Sequence, residues 1–414
     1  MHDVDLYQQV LGLKSPWVVS KVELSLKDQR VDVWADHEAG GRWPCPECQK
    51  DLALHDHSEE RAWRHLDTCQ FKTFLHARPP RVACPEHGVK QVRLPWAEAH
   101  SRFTALFERF AIDVLKETDV TGATRILRVS WDEAWHLVQR AVRRGLRDKQ
   151  KEVVPYLGVD EKAARKGHKY LTLVCDLEKG TVEYVAIDRK EESLSGYFRT
   201  LSVPQLEGIK AIAVDMWEPF LNAARKYVPD ADQKLVYDRF HIMTHVGKAV
   251  DAVRKREHRE LRSDGNETLT RTKYLWLYSQ ENLPERHRER FQELKTINLK
   301  TGRAWAIKES LRDLWTYARR AYADRFWKRW FFWATHSRLK PIVEAAYFMK
   351  RHIDHVLNFF QYGVTNAVSE GINSKIQTIK KMAYGFRNLE NFKAAIYFHC
   401  GGLQLYPVTH GNPG

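Results

Sequence analysis

Two aspartates and a late glutamate carry the chemistry most worth explaining in this chain. The run Val154-Pro155-Tyr156-Leu157-Gly158-Val159 is apolar and ends in Asp160-Glu161, and the run Ile209 to Val214 ends in Asp215. Both runs are short, rich in β-branched and aromatic residues and bounded by polar or turn residues, so both predict buried strands. One acid at a strand end or helix cap is commonplace. Two on neighbouring central strands repel, each raising the other's pKa, unless a divalent cation sits between them. The third acid, Glu370, opens a predicted helix whose apolar positions Ile372, Ile376 and Ile379 fall at helical spacing. Packed on the sheet, that helix would set Glu370 over Asp160 and Asp215. Three carboxylates make a hard-oxygen site for Mg²⁺ or Mn²⁺, and two such ions stabilise the attacking and leaving oxygens of an in-line phosphoryl displacement.

A second metal pattern lies near the N-terminus. Cys45-Pro46-Glu47-Cys48 and Cys84-Pro85-Glu86-His87-Gly88 are two knuckles offering three thiolates and one imidazole, a closed tetrahedral set for Zn²⁺. Cys69 is expected mid-strand as a small buried hydrophobe and is left out of the site. His55, His57 and His65 are spare imidazoles with no better claim.

The elements that must hold these groups follow in order. Trp17 to Leu26 alternates like a half-buried strand, with Val31 to Trp34 as its hairpin partner, and Thr68 to Leu75 is a further strand. From Ser101 to Arg147 the pattern is helical, with Phe103, Leu106, Phe107, Phe110, Val114 and Leu115 as one apolar face. Val120 to Leu127 and Trp131 to Leu146, the latter opened by a Ser130/Glu133 capping box, suggest a helix-turn-helix whose turn lacks glycine. A helical linker is the competing reading, because Trp131, Asp132 and Glu133 are poor base readers. The basic run Arg140, Arg143, Arg144, Arg147, Lys149 and Lys151 is either a solvated face or a phosphate track. Beyond it, Lys169 to Leu177 and Thr181 to Ile187 complete a three-stranded meander with the first run. A helix (Glu192 to Leu201), the Asp215 strand and a last strand in Leu235 to His241 follow. After His241 the chain is helical for over a hundred residues, including the aromatic and basic stretch Arg325 to Trp333. Aromatics with basic neighbours can stack on unpaired bases, but most of Trp305, Trp315, Trp327 and Trp330 are expected in the core.

A formal charge of +14 over 414 residues implies a polyanionic partner. Six cysteines are too few for a disulfide scaffold. With no apolar stretch of spanning length and no signal-peptide pattern at the N-terminus, a soluble cytoplasmic protein without a membrane partner is expected.

The order β-β-β-α-β-α-β-α, with Asp on the first strand, Asp after the fourth and Glu on a late helix, resembles the ribonuclease H-like core of DDE transposases. More narrowly, GVDE at 158–161, AVDMW at 213–217, YDRFH at 237–241 and the N-x-x-S-E-G-x-N-S-K-I-x-x-I-K run at 366–380 resemble the ISL3 family of bacterial insertion-sequence transposases. That family also begins with a zinc finger, its last ligand usually cysteine where this chain has His87. The resemblance implies a zinc-binding β-rich domain (1–100), a helix-turn-helix-like domain (101–151), an α/β ribonuclease H-like core (152–262 and 362–402) and an all-α insertion (263–361). It implies catalytic Asp160, Asp215 and Glu370, with His241 of the D-x-x-H motif near the scissile phosphate. The partner would be double-stranded DNA, both inverted-repeat ends and target, gripped by Arg140, Arg143, Arg144, Arg147 and Lys375 and bound as a homodimer in the bacterial nucleoid. The implied activity is DNA cleavage with two divalent ions and joining of the 3′-OH to target. A zinc-containing DNA-binding regulator, or a site-specific nuclease that cuts without joining, is the alternative. The presence of all three acids favours the enzyme.

Overall fold

The computed structural model describes residues 2–150, 152–165, 169–364 and 367–408; Lys151 of the basic run and Asn366 of the late motif lie outside them. The chain divides into two compact units, one formed by Met1–Lys149 with Tyr397–Gly414 and the other by Gln150–Ile396.

The first unit opens with α1 (Asp3–Val10) and strands β1 (Trp17–Ser25), β2 (Arg30–His37), β3 (Arg42–Pro44), β4 (Asp51–His57), β5 (Arg61–Arg64), β6 (Lys72–Ala77), β7 (Pro80–Cys84) and β8 (Gly88–Gln91). They form two four-stranded sheets, ordered β1-β2-β6-β5 and β3-β4-β7-β8. The expected Trp17 hairpin is there, Val22 opposite Val33, and inward residues of both sheets share one core around Trp17, Trp43, Trp63 and Trp96. Cys69 departs from expectation. The strand starts only at Lys72, and Cys69 is exposed in the Thr68–Phe71 turn with φ +56°. A small turn residue, not a buried strand residue, occupies that place.

Three helices follow, α2 (Ala105–Glu117), α3 (Val120–Leu127) and α4 (Trp131–Asp148). On α2 the buried face is Phe107, Ala111, Ile112 and Leu115, while Leu106 and Phe110 are exposed. Small Ala111 lets the helices approach along a narrower stripe than the apolar count suggested. Between α3 and α4, Arg128 takes the left-handed conformation (φ +55°) usually left to glycine. Its guanidinium pairs with Asp67 and donates to the Gln70 carbonyl at 2.8 Å. These contacts offset a backbone cost of about 1 kcal/mol. The Ser130/Glu133 capping box forms as expected.

The second unit is built on β9 (Tyr156–Arg165), β10 (Lys169–Asp176), β11 (Thr181–Ile187), β12 (Ala211–Val214) and β13 (Leu235–Tyr237), in sheet order β11-β10-β9-β12-β13. The first three run antiparallel and the last two join parallel. Around them stand α5 (Glu191–Phe198), α6 (Val203–Glu207), α7 (Glu218–Tyr227) and α8 (Ala231–Lys234). The run expected to stay extended to His241 instead stops at Tyr237. Asp238 accepts from the Phe240 amide and caps α9 (Arg239–Ser263), so His241 sits in the first turn of a 25-residue helix.

The helical region continues through α10 (Lys273–Leu277), α11 (Glu285–Thr296), α12 (Lys300–Leu311), a 3₁₀ turn (Arg312–Thr316), α13 (Arg320–Thr335), α14 (Lys340–Leu357) and α15 (Phe359–Tyr362). It shares one hydrophobic core with the sheet, running from Leu157 and Val159 through Val246 and Trp276 to Met349. Trp305, Trp315, Trp327 and Trp330 are all buried in it, and Trp330 Nε1 donates to the Ile307 carbonyl at 2.8 Å. Helices α16 (Ala367–Met382) and α17 (Leu389–Cys400) close the chain. Among the described residues no helix is long and apolar enough to cross a membrane.

Candidate active site and zinc centre

The parallel registers decide where the acids stand. Val214 of β12 lies opposite Val159 of β9 and opposite Tyr237 of β13. The next residue on each strand is an aspartate, so Asp160, Asp215 and Asp238 stand side by side at one level of the sheet. Asp160 is not at the end of its strand as expected. β9 runs on to Arg165 because its pairing with antiparallel β10 continues, Asp160 facing Leu173; only the pairing with β12 stops at Val159.

Electrostatics separates the three. Burial pushes the Asp160 carboxyl up, against the Glu161 amide and the Asn373 side chain, which both stabilise its charged form. Burial likewise raises Asp238. For Asp215 burial is outweighed by His241, whose Nδ1 stands 3.0 Å from Oδ1, and its carboxyl is held below the usual range. The same hydrogen bond raises the His241 pKa. His241 is thereby oriented toward Asp215, and this contact favours its protonated form.

Helix α16 does dock on β9, but the residue that arrives is Asn373. Its Nδ2 donates to Asp160 Oδ2 at 2.5 Å, the Lys162 ammonium donates to its carbonyl at 3.2 Å, and Lys380 reaches the Ala163 carbonyl at 3.1 Å. Glu370 is one helical turn away and exposed, as is Lys375. Among the described residues neither Glu370 nor Asp238 completes a set of three mutually close ligand atoms with Asp160 and Asp215. Asn373 Oδ1 and Glu161 Oε2 are buried there without a hydrogen-bond partner. Unpartnered oxygens beside crowded carboxylates suit a hard cation.

Two features of this site escape a reading of the sequence. Asp238 enters such a reading only within the D-x-x-H motif, although GVD, AVD and VYD repeat one pattern of strand end plus aspartate. Arg189 lies beside Glu161 at 3.3 Å, between the rings of Tyr170 and Trp217. No local sequence signal marks it.

In the first unit the antiparallel pairing of β4 with β7, Leu54 opposite Val82, brings the two knuckles together. Cys45, Cys48, Cys84 and His87 place one ligand atom each within 4.8 Å of one another. Sγ of Cys48 and Cys84 are 3.7 Å apart, and Cys84 Sγ is 3.5 Å from His87 Nδ1. Tetrahedral Zn–S bonds would separate two sulfurs by about 3.8 Å, so the set fits zinc. The His87 hydrogen bond draws the Cys84 thiol down to about 6, which favours the thiolate that zinc requires. The spare imidazoles are elsewhere: His65 is buried against Thr104 Oγ1 at 2.9 Å, His57 meets His37, and His55 is exposed.

A family model described as a transposase matches residues 157–396, more than half of the chain. The chain belongs to the ISL3 transposase family. Two further models of the ISL3 group match in front of it, a zinc-finger of transposases over residues 41–87 and a helix-turn-helix domain over residues 92–142. The zinc-finger match contains all four ligands. The helix-turn-helix match contains α2, α3 and most of α4 and removes the linker reading. Among similar proteins, the transposase for insertion sequence element IS1001 of Bordetella parapertussis is 27% identical, covering 84% of this chain and 86% of its own. The transposase for insertion sequence element IS1557 of Mycobacterium tuberculosis is 26% identical, covering 100% of this chain and 99% of its own. Membership makes this ISL3 protein a DNA-processing, DNA-binding enzyme with an N-terminal zinc ribbon, a helix-turn-helix and a DDE catalytic domain.

The basic run splits by helical period. Arg140 and Arg144 face inward. Arg144 is buried, pairing with Glu98 and Glu108 at 2.7 Å each and donating to the Leu405 carbonyl. It cannot reach a phosphate, because its guanidinium is already held by two acids below the surface. Arg140 donates to the carbonyls of Ala99 and His100 at 3.3 and 3.2 Å. Arg143 and Arg147 are exposed, the latter beside Asp148. Replacing both by Ala should reduce the slope of log affinity for DNA against log salt by about two, roughly 0.9 for each phosphate left without its cation. Arg144→Ala should instead destabilise its unit by about 3–5 kcal/mol, the cost of stranding buried acids. Salt titrations and thermal melts of both variants check the division.

Proposed function

We propose that this protein is a DDE transposase that binds inverted-repeat ends of an insertion sequence, cleaves DNA phosphodiesters and joins the freed 3′-OH to target DNA. The observation that carries the reading is the strand register that sets Asp160 and Asp215 side by side. The sheet order, third-second-first-fourth-fifth with the last two parallel, supports a ribonuclease H-like core for the second unit, and the domain limits 1–100, 101–151, 152–262 with 362–402, and 263–361 stand as part of the proposal.

Asp160 and Asp215 would hold divalent cations, Mg²⁺ or Mn²⁺, with Glu370 as third acid. Asp238 is the competing third, favoured by its place at the same level. Two bound ions supply positive charge to the attacking and leaving oxygens of an in-line displacement. Asn373 orients Asp160 through its amide, and its own Oδ1 is buried without a hydrogen-bond partner. His241, hydrogen-bonded to Asp215, would offer a donor to developing negative charge. Arg143, Arg147 and Lys375 contact backbone phosphates, and the zinc ribbon and helix-turn-helix hold the ends. Two inverted ends related by a dyad call for a homodimer, working on DNA in the bacterial cytoplasm.

The test is a supercoiled plasmid carrying candidate inverted-repeat ends, incubated with full-length protein, Mg²⁺ and target DNA. Cleaved donor together with joined product is the expected result. Cutting without joining reduces the protein to a nuclease, and binding with neither reduces it to a regulator.

A further inference from the structure

Helix α13 shows two unlike faces. Ala323, Trp327, Trp330 and Ala334 are buried. At 3.6 residues per turn they fall opposite Tyr322, Arg325, Arg329, Phe332, Trp333 and His336, which share an arc of about 100°. All six are exposed, and the three aromatics strongly so: 49% for Tyr322, 63% for Phe332 and 46% for Trp333. Large aromatics so uncovered on one face call for a partner. Arg325 lies over the Tyr322 ring at 6.0 Å, and His336 stacks on Phe332 at 3.9 Å. Two of the three rings thus carry a polar side chain of the same face against them.

Charge decides which partner fits. The single acid of α13, Asp324, is half-buried and paired with Lys328 at 2.6 Å. The exposed arc thus offers two arginines and no carboxylate. A second copy of the same face would set arginine against arginine, which penalises self-association. A polyanion with accessible π-faces satisfies both features. Duplex DNA hides its base faces, whereas unpaired DNA offers bases to stack and phosphates to pair.

We propose that this face of α13 is a binding surface for single-stranded DNA, with Tyr322, Phe332 and Trp333 stacking on bases and Arg325 and Arg329 meeting the phosphates. The surface lies outside the carboxylate site and needs no cleavage chemistry. It extends the DNA-handling role of the family to a strand that is not paired.

The experiment uses the full chain with Asp160→Asn, so that DNA is bound and left intact whatever the metal site does. Affinity is measured for a fluorescein-labelled oligothymidine and for a duplex of the same length. Tyr322→Ala with Phe332→Ala and Trp333→Ala should weaken oligothymidine binding by at least about tenfold and duplex binding by less than about twofold. Equal losses on both, or no loss on oligothymidine, overturn the proposal. Independently of folding in the variant, oligothymidine carrying 5-iododeoxyuridine should photo-cross-link to Tyr322, Phe332 or Trp333 of the parent chain, mapped by mass spectrometry. Adducts found only elsewhere overturn it, as does a dimer-to-monomer shift in the variant with oligothymidine affinity unchanged.

Discussion

Asp160→Asn and Asp215→Asn should each abolish end cleavage in Mg²⁺, by well over about a hundredfold, which already is the usual cost of disturbing a mere supporting contact of a metal site. Each substitution keeps shape and most hydrogen bonding but removes one negative charge from a pair aligned by the β9–β12 register. A hard cation then binds poorly and cannot sit between attacking and leaving oxygens. Thermal stability of Asp160→Asn should hold or rise, since burial already disfavours its charge. DNA-end binding should persist in both variants, because the helix-turn-helix domain lies in the other unit. Binding and cleavage measured side by side on one end-containing DNA check this. Glu370→Gln and Asp238→Asn, tested in the same assay, assign the third acid. If Glu370→Gln cuts like the parent while Asp238→Asn is dead, the third acid is Asp238 at the cap of α9 and not a residue of α16.

Stripping zinc is the second large effect. A chelator, or Cys45→Ser with Cys84→Ser, should unfold the ribbon, since structural zinc supplies about 10–16 kcal/mol of apparent binding energy in finger peptides. The ribbon shares its apolar core with the other sheet of its unit, Trp43 and Val82 packing with Trp17 and Trp96. Loss of metal should therefore loosen β1 and β2 as well, while the second unit stays folded. Metal analysis should give about one zinc per chain for a single four-ligand site, and hydrogen exchange before and after chelation should lose protection only in the first unit. A ribbon that stays protected without metal would falsify the zinc reading.

Much of this was legible because strand pattern and ligand spacing are local. The apolar run ending in Asp215, the two knuckles, and the Ser130 cap all lie where their residues imply, whereas the strand through Asp160 runs on to Arg165. What was not legible depends on direction in space. The arginines of α4 look alike in sequence, and only the helical period and the acids Glu98 and Glu108 tell buried Arg144 from exposed Arg143. Asn373, one turn beyond Glu370, reaches Asp160 because of how α16 is rotated, which Ile372, Ile376 and Ile379 fix only approximately. Asp238 joined the row of acids through the pairing of β13 with β12, a long-range contact that no spacing announces. Cys69 shows the converse error, where a turn at Thr68–Phe71 replaced an expected strand.

The apolar core that joins β9 to α14 without a break limits how this molecule can be taken apart. A fragment trimmed at either edge of the helical stretch would bare members of this shared core to water, and exposed apolar surface of that kind drives aggregation. Shortened versions for genome engineering should therefore keep the buried helices and be trimmed only in exposed connections such as 264–267, short of Leu269 and Thr272, which are buried. New cargo fused there meets solvent, whereas cargo placed within α9 or α14 would pull on the strands that keep the aspartates level.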